Sequence, residues 1–168
     1  YLYAHGLPSR ITDAMLAATF AFEERLRLAA DPGSSSLPCR GAPYFTCPPF
    51  AAIAARMGDR GKAASLLRLL ASNFTVPPFD IISEYSREQG YHYGVYVTNV
   101  GSFVAALFSM AGLAFGGGAA GTGAARGVAA FPEGWNRLRI GRVYIGGEAY
   151  ALDAEHGQRA TLTPLKVH

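Results

Sequence analysis

"PPFAAIAARMGDRGKAASLLRLLASNF", residues 48–74, carries two alanine- and leucine-rich runs on either side of the short stretch "GDRG". The apolar residues recur at helical spacing, which predicts helices over residues 50–57 and 62–72. Gly and Asp are typical of the turn that joins two elements. The stretch therefore predicts a helical hairpin, which is the repeating unit of all-α barrels and solenoids.

Two more helices are predicted on either side of this hairpin. Residues 12–30 show helical periodicity, with Thr12 or Asp13 able to cap the N-terminus and "DPG" ending the helix. Residues 97–115 are strongly apolar, and we expect a buried helix over 101–115. A membrane-spanning helix is the alternative for this uncharged stretch. Its polar residues and the lack of flanking Lys or Arg favour the buried helix.

After these helices the composition and the periodicity of the sequence change. Residues 116–127, "GGGAAGTGAARG", have the composition of a flexible linker. Residues 136–165 alternate polar and apolar side chains between turns at "GG" and "EHG", which predicts two or three short strands. Helices followed by strands across a glycine-rich joint indicate two structural units, residues 1–115 and 128–168.

Composition excludes several classes of protein. Half of the 168 residues are apolar and 16% are charged, which argues against disorder. The net charge of +3 is scattered and no basic tract carries interleaved aromatics, so we expect no nucleic-acid partner. The chain starts at Tyr1 without a recognisable signal peptide, so we expect a fragment whose partner is the rest of the parent polypeptide.

The two cysteines, Cys39 and Cys47, lie eight positions apart in a proline-rich segment. No second pair supplies metal-ligand spacing, so no metal site is predicted. Free thiols are the preferred interpretation and a local disulfide is the alternative. "NFT" at residues 73–75 is an N-glycosylation sequon. It is compatible with a secretory or vacuolar route and leaves a cytoplasmic location open.

"PPFDIISEYS", residues 77–86, places a carboxylate, Glu84, directly after an apolar run. The structural interpretation of this residue is a loop carboxylate that pairs with Arg87 or caps the following turn. The functional interpretation draws on the aromatic segment that follows, which includes Tyr85 and Tyr93. Aromatic rings stack against sugars and Tyr hydroxyls can bond sugar hydroxyls, although packing of these rings explains the segment equally well.

Four blocks of this sequence resemble, in order, the C-terminal end of the catalytic domain of glycoside hydrolase family 65. They are "YFTCPPFAAIAARMGDRGKAASLLRLLASNF", "PPFDIISEY", "YVTNVGSFVAALFSMAGL" and "FPEGWNRLRIGRVYIGGEAYAL". That family includes acid trehalases, the glucosidase acting on glucosylgalactosyl-hydroxylysine, and disaccharide phosphorylases. The resemblance implies a mainly α fold: the last helices of an (α/α)6 barrel over residues 1–115, then a Gly-rich linker over 116–127 and a short β segment opening a C-terminal sandwich over 128–168.

The resemblance also implies an activity and a site. The chain would be part of an inverting hydrolase of an α-linked glucose disaccharide, with Glu84 as general base and without a cofactor. Tyr85, Tyr93, Thr98 and Gly101 would contact the carbohydrate substrate. The general acid would lie elsewhere in the parent polypeptide, so the chain alone would be inactive.

Three positions depart from the family's pattern in the block after the candidate base. Asn99 and Ser102 stand where glycines are usual, and Ala105 stands where glutamine is usual. These departures support an alternative hypothesis, in which the chain is a non-catalytic homologue that binds carbohydrate or serves a structural role.

Overall fold

The computed structural model describes residues 12–30, 47–76, 81–83, 85, 90, 97–113 and 127–166. In chain order the elements are α1 (Asp13–Ala30), α2 (Cys47–Arg56), α3 (Arg60–Asn73), β1 (Thr75–Val76), β2 (Ile81–Ile82), α4 (Val97–Met110), β3 (Arg137–Ile145), β4 (Glu148–Glu155) and β5 (Thr161–Pro164). All four predicted helices and the predicted C-terminal strands are confirmed, with boundaries shifted by a few residues.

The turn between α2 and α3 shows how the "GDRG" stretch forms the helical hairpin. Gly58 has a φ of 85°. Asp59 N–H donates to Ala54 O at 2.9 Å and Gly58 N–H donates to Ala55 O at 3.1 Å, which is the Schellman arrangement that ends a helix. The Asp59 carboxylate then accepts from Lys62 N–H at 2.9 Å and caps the start of α3. Gly58 and Asp59 therefore end α2, and Asp59 also starts α3.

Helix α1 is attached to this hairpin by one aromatic contact and one ion pair. The Phe20 and Phe50 rings meet edge to face, with centroids 5.4 Å apart. Lys62 Nζ lies 2.5 Å from a carboxylate oxygen of Glu24 and 5.2 Å from the Phe20 ring centroid. Thr12 Oγ1 accepts from Met15 N–H at 3.2 Å, which confirms Thr12 as a cap of α1.

The C-terminal strands form one antiparallel sheet in the order β3–β4–β5. Gly146 and Gly147 both have positive φ, as a two-residue hairpin turn of type I′ requires. A register shift between Ile140 and Val143 marks a β-bulge in β3. Alternate residues of β4, including the fully buried Leu152 and Ala154, contribute to the same hydrophobic cluster as the helices.

The prediction of a mainly α fold, with the last helices of an (α/α)6 barrel, is wrong. About half of the described residues are helical and about a quarter lie in strands, so this is a small mixed α/β structure. The alternation in the sequence had indicated short strands, whereas β3 has 9 residues and β4 has 8. The division of the chain at residues 116–127 stays a prediction, because most of that segment lies outside the described residues.

Residues 127–136, which we call the crossing segment, connect the helices to the sheet. Ala130 N–H donates to Met110 O at the end of α4, at 2.7 Å. Phe131 N–H donates to His156 Nδ1, beyond β4, at 3.0 Å. Arg60 at the start of α3 binds the segment through its guanidinium. The start of α3, the end of α4 and the β4–β5 turn therefore meet at the crossing segment.

Cys47, at the start of α2, is buried and disulfide-bonded. The sequence has one other cysteine, Cys39, which lies outside the described residues. The preferred interpretation of free thiols is therefore wrong, and the alternative of a disulfide is confirmed. Proline at the two following positions suits the first turn of a helix, where the N–H groups have no intrahelical acceptor.

Loss of this disulfide should destabilise the protein. Closing the short loop between Cys39 and Cys47 is expected to contribute about 2–3 kcal/mol by restricting the unfolded chain. We expect Cys47→Ala to lower the free energy of unfolding by that amount in urea titrations. A reducing agent should bring the wild type to the same value and leave the variant unchanged. A variant that responded to the reductant as the wild type does would contradict this assignment.

Candidate functional site

The chain leaves α3 through a buried polar position just before Glu84. Phe74 caps the C-terminus of α3 and is almost fully buried. Strands β1 and β2 pair antiparallel, and Ser83 N–H then donates to Phe74 O at 2.8 Å. This bond returns the chain to the end of α3 and leaves Ser83 with none of its surface exposed.

Of the residues predicted to act on substrate, Glu84 and Tyr93 lie outside the described residues. Tyr85 is half-buried, and its N–H donates to Ser83 Oγ at 3.3 Å. The positions on both sides of Glu84 are thus described, one buried and one partly exposed. The role of Glu84 as a base stays a prediction.

Thr98 and Gly101 both belong to the first turns of α4. Gly101 is exposed, and a Cβ added there would meet no heavy atom within 4 Å. Within the described part of the chain, no steric contact therefore requires glycine at this position. A substrate contact at Thr98 or Gly101 stays a prediction.

Asn99 is the unexpected residue of this region. Its side chain is 1% exposed, and Nδ2 has no hydrogen-bond acceptor among the residues that the structure describes. An unpaired buried polar group costs about 1–3 kcal/mol, and most such groups in native proteins are satisfied by protein, water or a bound molecule. Asn99 stands where the family pattern usually has glycine. A polar residue in a strongly apolar stretch is the local signal of this site.

Helices α3 and α4 run in opposite chain directions relative to the crossing segment. Helix α3 begins, and α4 ends, at the crossing segment, and both helices pack on α2. Each has 14 residues, which corresponds to a length of about 21 Å. The end of α3, which leads to Ser83, and the start of α4, which holds Asn99, therefore each lie about one helix length from the crossing segment.

The described polar residues after α3 and in the first turn of α4 carry neutral hydrogen-bonding groups. Ser83 has a hydroxyl, Tyr85 a phenol and Asn99 a carboxamide. Activation of a water molecule requires a general base, such as a carboxylate or an imidazole. Among the residues that the structure describes, no group of three or more His, Cys, Asp or Glu could hold a metal ion.

A separate charged cluster lies on the exposed face of the sheet. The Asp153 carboxylate accepts from Arg137 at 2.7 and 2.5 Å and from Arg139 at 3.2 Å. The hydrogen bond from Arg137, with added attraction from Arg139, lowers the pKa of Asp153 below its usual value of 3.8. The paired charges stabilise the β3–β4 pairing, where Arg139 lies directly opposite Asp153.

This pKa shift predicts a pH dependence of stability. Because the pKa of Asp153 is lower in the folded than in the unfolded protein, its contribution is complete above about pH 4 and is lost as the pH falls through the folded value. We expect the difference in unfolding free energy between wild type and Asp153→Asn to shrink below about pH 4. High salt should reduce the difference at neutral pH, because the pair is exposed. A difference independent of pH would contradict the role of the carboxylate charge.

Comparison of the chain with family models, with curated proteins and with solved structures found no match. Within the described ranges, none of the helices combines the length and apolar character that crossing a bilayer requires.

Proposed function

We propose that this chain is part of an inverting glycoside hydrolase that acts on an α-linked glucose disaccharide, of the trehalose or glucosylgalactosyl-hydroxylysine type. Its support is the ordered resemblance of four sequence blocks to glycoside hydrolase family 65. The structural observation that most strongly supports the proposed function is the buried, unpaired amide of Asn99 in one of those blocks. An uncommitted donor in the first turn of α4 suits a ligand rich in oxygen acceptors.

In the proposed reaction Glu84 is the general base. Inverting hydrolysis requires a carboxylic acid that protonates the leaving oxygen and a carboxylate that takes a proton from the attacking water on the opposite face. The two carboxyl groups stand roughly 6.5–9.5 Å apart, which leaves room for the water. The acid would be supplied by the rest of the parent polypeptide, so this chain alone would not hydrolyse sugars.

Two exposed apolar stripes support a packing partner for the helices. Met15, Phe22 and Leu26 of α1 are each about half exposed and recur at spacings that place them on one side of the helix. Val100 and Val104 of α4, one turn apart, are also exposed. Contiguous apolar surface of this kind marks sites of protein contact. The proposed partner is the rest of the parent polypeptide.

The disulfide of Cys47 bears on the compartment. Disulfides persist in oxidising environments and are rare where thiols are kept reduced. The sequon at Asn73 has the same implication, and Asn73 is partly exposed at the end of α3. Together they support a secretory or vacuolar route for the proposed enzyme.

Glu84→Gln in the intact polypeptide tests the proposed function. Glutamine cannot accept the proton of the attacking water, so we expect hydrolysis of the disaccharide to fall about 10²- to 10⁴-fold, with sugar binding retained. Glu88→Gln, which removes a neighbouring carboxylate, is the matched control and should retain activity. Undiminished turnover by Glu84→Gln would remove this residue from the mechanism.

The second candidate function is non-catalytic carbohydrate binding. It is favoured by Asn99, Ser102 and Ala105, which replace the residues usual in the family's pattern. Sugar binding by an intact polypeptide that shows no hydrolysis would support it over the enzyme.

A further inference from the structure

We propose that the Asn99 carboxamide donates a hydrogen bond from Nδ2 to a hydroxyl oxygen of the bound glucose unit and thereby determines which sugar is accepted. This inference rests on the proposed function, because it assigns a contact within the same site. It assigns a ligand-binding role to a side chain at a position where the family pattern usually has glycine.

The first argument is chemical. The unpaired atom is a donor, so only an acceptor can satisfy it. Each sugar hydroxyl offers an oxygen with lone pairs and carries no charge. A neutral, hydroxyl-rich ligand therefore supplies the kind of acceptor that this donor lacks.

The second argument is positional. Asn99 is the third residue of α4, where backbone N–H groups have no intrahelical acceptor. The first turn of the helix and the carboxamide thus present donors in one place. An incoming acceptor oxygen would meet donors here rather than competing acceptors.

The third argument concerns selectivity. A site built to hydrogen-bond a substrate hydroxyl rejects an analogue that lacks it, because the buried donor is then left unpaired. Asn99 is almost fully buried, so the penalty for an absent acceptor is not relieved by solvent. The residue would act by excluding sugars that have no hydroxyl at this position.

The experiment compares binding of glucose with binding of its monodeoxy derivatives by the intact polypeptide, using titration calorimetry. The wild type should bind one derivative at least about tenfold more weakly than glucose, equivalent to about 1.4 kcal/mol. Asn99→Leu, similar in size but without a donor, should bind glucose as weakly as the wild type binds that derivative. It should not distinguish the two sugars. Met57→Ala, at an exposed position just after α2, is the control and should behave as wild type.

Thermal unfolding separates this role from a structural one. Leucine removes an unpaired polar group, so Asn99→Leu should unfold at the same temperature as wild type or a higher one. Weakened glucose binding with unreduced stability supports the inference. Unchanged discrimination in Asn99→Leu would overturn it while leaving the proposed function in place. Failure of the wild type to bind any of these sugars would overturn both.

A second measurement serves if Asn99→Leu does not fold. In ¹⁵N spectra of the wild type, the Asn99 side-chain amide protons should shift on addition of glucose and not on addition of the discriminated derivative. Asn99→Ser would assign the resonance. Asn99 amide signals whose chemical shifts change with neither sugar would overturn the inference.

Discussion

Replacing Gly112 by alanine should destabilise the protein by about 2–5 kcal/mol, one of the two largest stability losses we expect from a single substitution. Gly112 ends α4 with a φ of 79°, and an added Cβ would lie 2.5 Å from Gly127 O. The left-handed conformation accounts for about 1–2 kcal/mol of the loss. The remainder comes from the overlap with the backbone of residue 127, which cannot move without breaking the Gly127 N–H bond to Gly112 O.

Gly58→Ala is the matched control for this substitution. Gly58 occupies the same position in the Schellman turn of α2, with a φ of 85°, but an added Cβ would meet nothing within 4 Å. Its loss should therefore be limited to the conformational part, about 1–2 kcal/mol. Urea unfolding of both variants measures the difference. Equal losses would contradict the close approach of residues 112 and 127.

The second large effect is expected at Arg60, whose replacement by methionine should lower the free energy of unfolding by about 2–4 kcal/mol, because hydrogen bonds from a charged group contribute about 1.5–3 kcal/mol each where they are shielded from water. Its guanidinium donates to Phe131 O at 3.0 Å, to Pro132 O at 3.2 Å and to Trp135 O at 3.0 Å. Methionine keeps much of the apolar stem and loses all of these bonds. The crossing segment would then be left with unsatisfied carbonyl groups at the point where the helices meet the sheet.

Two further variants isolate this contribution. Arg60→Lys keeps the charge but lacks the planar fork, so it should recover only part of the stability. Arg68→Met removes an exposed arginine from the same helix and should change the free energy of unfolding by less than about 0.5 kcal/mol. If Arg60→Met behaved like Arg68→Met, the bonds to the crossing segment would contribute nothing measurable.

Some of the candidate site could be predicted from residues alone. The sequence alone shows a carboxylate, Glu84, after an apolar run, and an aromatic segment beyond it. The burial of Asn99 and the missing partner of its amide were not, because both depend on which elements pack around the first turn of α4. The family resemblance identifies Asn99 only as a departure from the usual glycine and gives it no binding role.

The cysteines illustrate the same limit. Their spacing permits both free thiols, which are the preferred interpretation of the sequence, and a local disulfide. The bonded state of Cys47 depends on the distance and orientation between two side chains, which a sequence interval does not specify.

Sequence by itself determined the local elements of this protein. Helical periodicity, the pair Gly58 and Asp59, and the "GG" turn placed the helices and the hairpin, because each depends on contacts within a few residues. Only the tertiary structure decided the proportion of sheet and the way it joins the helices. Arg60 and Phe131 are 71 positions apart, and nothing near either residue in the chain indicates their bond. Such pairs arise only when separate elements bury their apolar faces in a common core and bring distant polar groups together.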